Sequence, residues 1–179
     1  MGLELRSDVM RATDSRTIFL ARNLVCDGTN YFDTGFAPFS TANASTDFKL
    51  TIRFNNFVKI SASGNQDSIF TCKYEGTLSG QQYPGFLLRN RSTGGGTAFE
   101  IGGYNYYYAA HANWLSKNVY FWRQSGTFYS QIEGAAVQTL SVRVATFNQN
   151  IIIGAAEKTD STKMRYGKFD LEYFRLEYL

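Results

Sequence analysis

The stretch "DFKLTIRFNNF", residues 47–57, settles the period of the chain. Phe48, Leu50, Ile52 and Phe54 fall on one face, and Lys49, Thr51, Arg53 and Asn55 on the other. Side chains that alternate at a period of two belong to a strand with one face buried and one face wet, not to a helix. Working outward, the same grammar recurs on both sides. Upstream lie "LVCDG" and "NYFDTGF" (30–36). Downstream lie "DSIFTCKY" (67–74), "GFLLRN" (85–90), "TAFEIGG" (97–103), "NVYFWRQSG" (118–126), "TFYSQIEG" (127–134), "TLSVRV" (139–144), "NIIIGAA" (150–156) and "GKFDLEYFRLEYL" (167–179). Each run is short, rich in β-branched or aromatic residues, and bounded by Gly, Asn, Ser or Pro. Many such strands with regular turn signals predict an antiparallel two-sheet β-sandwich or a barrel.

Two junctions carry more detail. "WRQSGTFYSQIEG" reads as a hairpin turning at "QSG", with Phe128, Ser130 and Ile132 on one face and Tyr129, Gln131 and Glu133 on the other. In the last strand Phe169, Leu171 and Tyr173 share a phase, after which Phe174, Leu176 and Tyr178 carry the apolar positions. A bulge near Tyr173–Phe174 accounts for that slip.

The bulk properties exclude several classes. At 179 residues, 16% of them aromatic and 18% charged, the chain is too apolar for disorder and too interrupted for a membrane protein. Its net charge of +3 is spread rather than gathered into a stripe, so no nucleic-acid partner is expected. No secretory signal or membrane span is legible in "TIFLA" (17–21), the strongest candidate. Cys26 and Cys72 read as two buried thiols, with a single bridge between them as the alternative. One His and no close Cys pair argue against zinc. Residues 1–21 differ from the rest and are expected to form an N-terminal arm or short helix, either a segment for attachment to a partner or a packed or frayed terminus, ahead of a sandwich over 22–179.

The ordered pieces resemble those of the concanavalin A-like (laminin-G-like) jelly-roll sandwiches. The resemblance runs from "CDGTNYFDTGF" through "FKLTIRF", "DSIFTCKY", "GFLLRN", "YSQIEG" and "IIIGAA" to the closing "GKFDLEYFRLEY", about residues 22 to 179. It implies a jelly roll that binds carbohydrate or protein without chemistry, of the kind found in carbohydrate-binding modules and in bacteriophage structural proteins. The expectation that follows is a virion component, on a capsid or tail surface. It would attach to other virion proteins through residues 1–21, bind glycans and associate as a homo-oligomer. The alternatives are a free-standing lectin-like domain, extracellular or on a cell surface, and behind it a glycoside hydrolase.

The sequence pattern shows no catalytic constellation. Glycoside hydrolysis needs two carboxylates facing each other across one site. Asp170 and Glu172 come nearest, but they sit on the closing strand, and Glu75, Glu100 and Glu133 stand apart. "STGGG" (92–96) lacks the Lys-Ser/Thr of a phosphate-binding loop and reads as a loop. No cofactor is expected. Calcium has oxygen donors available in "SGNQD" (63–67) and "EKTDST" (157–162), without a ligating motif.

A sugar site needs aromatic faces and a few fixed polar groups. The candidates are Tyr107, His111, Trp114, Trp122, Arg123, Tyr129 and Gln131, with Arg89 and Arg91 as additional donors. In "GGYNYYYAAHANW" (102–114) a period of two gives Tyr104, Tyr106 and Tyr108 to the core and leaves Tyr107, His111 and Trp114 near a rim. No catalytic role is expected for His111, because no nucleophile elbow or orienting carboxylate stands at a recognisable spacing.

Overall fold

A computed structural model describes residues 16–60, 66–93, 96–102, 106–110, 114–157 and 163–179. All the regular elements there are strands. They run β1 (Thr17–Asp27), β2 (Phe32–Asp33), β3 (Phe48–Val58), β4 (Gln66–Lys73), β5 (Thr77–Leu78), β6 (Gln81–Gln82), β7 (Gly85–Thr93) and β8 (Gly96–Gly102). The remainder are β9 (Tyr106–Ala110), β10 (Val119–Gln124), β11 (Thr127–Ile132), β12 (Gln138–Leu140), β13 (Ile152–Ile153), β14 (Ala156–Glu157), β15 (Lys163–Met164) and β16 (Lys168–Tyr178). Sheet A has the order β1-β16-β3-β10-β11-β12 and sheet B the order β2-β13-β4-β7-β8-β9. All pairings are antiparallel, and two small ribbons, β5-β6 and β14-β15, stand beside the sheets. The molecule is the expected two-sheet β-sandwich.

The core sits between the sheets and is largely phenylalanine. Phe48, Leu50, Ile52 and Phe54 of β3 are fully buried, as the alternation required. Phe86 of sheet B meets Phe121 of sheet A with ring centroids 4.2 Å apart, and Phe48, Phe70 and Phe128 close around them. Burying one such ring is worth about 2–3 kcal/mol, and favourable ring pairs add about 0.5–1.5 kcal/mol each. Cys26 and Cys72 are both buried and not bridged to each other, and Cys72 Sγ donates to Gln149 O. Burial, reinforced by Asp27 and Asp170, pushes the Cys26 thiol up to about 12, so it is inert filler.

Local signals are answered in detail. In the β10–β11 hairpin Ser125 and Gly126 both take positive φ, 49° and 78°, which gives a two-residue turn whose twist suits a hairpin. In β16 the register against β3 shifts between Leu171 and Tyr173, one residue earlier than the sequence suggested. The bulge leaves Glu172 and Tyr173 consecutively half-buried and returns Phe174 and Leu176 to the core. After β1, the Asp27 carboxylate accepts from Thr29 N, Thr29 Oγ1 and Asn30 N, which holds the turn and lowers its own pKa.

Some boundaries move. β1 starts at Thr17, so residues 17–21 belong to the sandwich instead of the arm, pairing with the far end of β16. Residues 1–15 lie outside the described residues, and with them most of the expected arm or helix. The "STGGG" loop contracts, because β7 and β8 pair as far as Thr93 and Gly96. The expected strand 139–144 keeps its ladder only to Leu140. Beyond it the backbone is tied to loops, with Gly85 N donating to Arg143 O and Phe147 N to Phe39 O. These contacts satisfy the chain without a strand.

Candidate functional site

Alternation makes the outer face of sheet A. In β10, Val119, Phe121 and Arg123 point inward and are buried, while Tyr120 and Trp122 are half-buried on the outside. In β11, Phe128, Ser130 and Ile132 are buried, while Tyr129 and Gln131 face out. The cross-strand register then sets Lys49, Trp122 and Tyr129 in one row, and Thr51, Tyr120 and Gln131 in the next. Residues opposite one another on a sheet face touch, so the rows become a surface.

The Trp122 and Tyr129 rings stack, with centroids 5.2 Å apart and planes 20° apart. The Lys49 ammonium stands 4.9 Å from the centre of the Tyr120 ring. Gln131 Nε2 donates to Ala135 O at 2.9 Å, which fixes the amide plane against the turn after β11. Lys49, Tyr120, Trp122, Gln124, Gln131, Val137 and Leu179 line an open groove of about 470 Å³. That volume is in the range of small-ligand sites. An aromatic floor flanked by one cation and one anchored amide can stack on the apolar face of a ring and hydrogen-bond its substituents.

Of the seven candidates read from the sequence, Trp122, Tyr129 and Gln131 come together here. Arg123 and Trp114 do not, and both correct the expectation. Arg123 is buried. Its Nε donates to Thr46 O, Nη1 to Pro38 O and Nη2 to the carbonyls of Asn43 and Thr46, while the guanidinium lies over Phe48 and Phe128. It pins the segment between β2 and β3 and presents nothing to a ligand. Trp114 is fully buried, its ring 5.5 Å from that of Phe99. The turn after it is tied to the end of β3 through Ser116 N to Phe54 O, and this carries the indole inward.

His111 lies outside the described residues, as do Tyr104 and the calcium-donor segments 63–65 and 158–162. Tyr107 is placed by backbone register only. It pairs with Ile101 in the ladder, and Tyr108 pairs with Glu100. Arg89, considered as a donor, is buried with its Nε 2.7 Å from Glu100 Oε2. The sequence reading did not select Lys49, Tyr120, Gln124 or Val137 as site residues. Lys49 had been assigned to the outer face of its strand. Only the non-local pairing of β3 with β10 shows that it borders the aromatic rows.

The carboxylates examined for catalysis each have a structural partner. Asp170 accepts from Asn56 Nδ2 and Glu172 from Arg53 Nε. Glu75 meets Arg165 and Lys73, Glu100 meets Arg89, and Glu133 accepts from Asn118 N.

No protein-family model and no curated protein sequence matches the chain. Solved structures do. The K499G mutant of NanB sialidase from Streptococcus pneumoniae is similar over 90% of this chain and 26% of its own, with TM-score 0.52 and 12% identity. The same sialidase in complex with 2-[(3-chlorobenzyl)ammonio]ethanesulfonate gives TM-score 0.53 at 12% identity, again over 90% of this chain and 26% of that one. NanB with Optactamide gives TM-score 0.56 at 14% identity, over 89% and 26%. The chain thus spans about a quarter of the length of these sialidases, and the likeness is one of fold: an antiparallel β-sandwich.

Proposed function

We propose that the chain is a non-catalytic carbohydrate-binding module of the lectin-like, concanavalin A-like kind, working through the groove on the outer face of sheet A. The observation that carries this reading is Trp122, braced by its stack on Tyr129, lining an open groove together with Tyr120, Lys49 and the anchored Gln131 amide. Rigid half-exposed aromatics have little structural reason to line a concavity, and they suit the flat apolar face of a sugar ring. The similarity to a segment of sialidase chains, proteins named for action on a sugar, supports a carbohydrate partner. The covered share of about a quarter supports a module rather than a whole enzyme. No Asp or Glu side chain is among the described residues lining the groove, which favours binding over hydrolysis by a carboxylate pair.

In the virion setting that the sequence resemblance implies, the module would be attached to other virion proteins through its N-terminal residues.

A glycan array followed by calorimetry tests the proposal. A saccharide ligand is expected whose affinity falls about tenfold or more in Trp122→Ala, the loss of one good stacking contact. Ligands that bind Trp122→Ala unchanged would move the site elsewhere. Release of reducing ends from a bound polysaccharide would refute the non-catalytic part.

A further inference from the structure

We infer that the groove selects anionic saccharides, with the acidic group held at the β3 edge by Lys49 and a neutral hydroxyl held at the β11 edge by Gln131. This inference rests on the carbohydrate-binding reading and adds the ligand class and its orientation.

The groove has distinct chemistry on its two sides. On the β3 side stands Lys49, the one charged side chain among the lining residues. Its ammonium is propped over the Tyr120 ring and makes no ion pair among the described residues. The neighbouring acids are committed. Glu177, in register with Lys49 on β16, lies 2.8 Å from Arg175 Nη2. Asp47 accepts from Ser125 N at the hairpin turn. Lining the groove, then, is a cation held over a ring, with N–H donors that suit an anionic oxygen.

On the β11 side the polar group is neutral and oriented. The Gln131 amide has given one N–H to Ala135 O, and that bond determines where its carbonyl oxygen points. An acceptor so fixed recognises a hydroxyl donor and disfavours a carboxylate or sulfate oxygen, which would meet it lone pair to lone pair. Tyr120 and Trp122 of β10 lie between the two sides. A sugar stacked on them is therefore offered a charge on one side and a neutral acceptor on the other. A carboxylate and a sulfate share the chemistry that Lys49 reads.

The test uses the full chain with a neutral hexose oligosaccharide, its uronic-acid counterpart and its sulfated counterpart, measured by calorimetry at low and high salt. At least one acidic ligand is expected to bind about tenfold more tightly than the neutral parent at low salt, with the advantage shrinking as salt screens it. Lys49→Met, which removes the ammonium and keeps a side chain of similar length, should weaken the acidic ligand about tenfold more than the neutral one and so bring the two to a similar level. Gln131→Leu should weaken neutral and acidic ligands alike. Matched far-UV spectra and melting temperatures of the variants secure the comparison. Equal affinity for neutral and acidic ligands, or an equal loss for both in Lys49→Met, overturns this inference while leaving carbohydrate binding standing. Failure of every glycan to bind, with Trp122→Ala indistinguishable from the parent, overturns the carbohydrate reading itself.

Discussion

The two sheets turn very different outer faces away from their shared core. On sheet A the face is aromatic and half-exposed: Trp122 on Tyr129, Lys49 over Tyr120, Arg53 paired with Glu172. On sheet B the corresponding face carries Lys73, Arg89 and Glu100, which are 7%, 5% and 0% exposed. Here the charges have been covered. Arg143 O accepts from Gly85 N, and the Arg143 guanidinium donates to Gln82 O, so the segment after β12 and the β5-β6 ribbon close over the start of β7. Pointing away from the core is therefore not the same as facing water. A polar residue on a strand's outer side is either a surface group or part of a second, ionic interior. Among the described residues one face is half-exposed, and on the other the charged groups are buried by the chain itself.

The sharpest way to break this comparison is Arg89→Met. Its Nε lies 2.7 Å from Glu100 Oε2, with both side chains buried. Removing one member of a buried pair strands the charge of the other and costs about 3–5 kcal/mol, whereas replacing both by apolar groups is often nearly neutral. Urea denaturation should show that loss for Arg89→Met and recovery of most of it in Arg89→Met/Glu100→Leu. A single-variant loss below about 1 kcal/mol, the range of an exposed pair, would mean that the face behaves as surface.

Gly85→Ala probes the cover itself. Gly85 has φ +107°, and a Cβ there would sit 2.2 Å from Cys72 O, a backbone atom that cannot swing aside. Strain of this kind plus displacement of the strand start should cost roughly 2–4 kcal/mol by chemical denaturation. A neutral substitution would show that the approach of β7 to β4 is looser than the structure has it.

This asymmetry explains what was legible in the sequence. The sandwich, the hairpin at Ser125–Gly126 and the bulge in β16 were readable because each is written in local alternation, turn residues or a slip of phase. Trp122, Tyr129 and Gln131 share one outer face for the same reason, since one hairpin brings them together. Lys49 and Tyr120 were not chosen, because their meeting depends on β3 lying beside β10, some seventy residues apart in the chain. Trp114 and Arg123 were misjudged because amphipathic side chains have no fixed address. Both were carried inward by backbone contacts that no pattern of residue types records: Ser116 N to Phe54 O, and the carbonyls of Pro38, Asn43 and Thr46.

Lys73 sharpens the picture through pH. Burial holds its ammonium below the ordinary lysine range; Glu75 opposes that shift, and Arg89 and Arg165 add to it. The unfolded chain therefore binds this proton more tightly than the folded one. The folded state carries the penalty below its own pKa, and sheds it as pH climbs from there toward the unfolded value. Lys73→Met removes this penalty, and Glu75 keeps Arg165 at 2.9 Å, so the variant should differ from the parent by about 1 kcal/mol or less at neutral pH. Denaturation at pH 7 and pH 10 should show the parent gaining on the variant as pH rises. A difference that stays constant would mean that Lys73 is solvated after all.

The smallest effect belongs to the open face, and its smallness is the point. Trp122 and Tyr129 are half-exposed, so each alanine substitution should cost about 1 kcal/mol or less in stability, as is usual for positions outside the core. Their stack should appear as a coupling of about 0.5 kcal/mol in a double-mutant cycle, the low end for aromatic pairs because water reaches both rings. The same substitutions should reduce glycan affinity about tenfold. A residue built for the core loses stability first and function as a consequence. Here function should go while the fold stays, and a Trp122→Ala variant that melted well below the parent would place the ring with Trp114, among the struts of the sandwich.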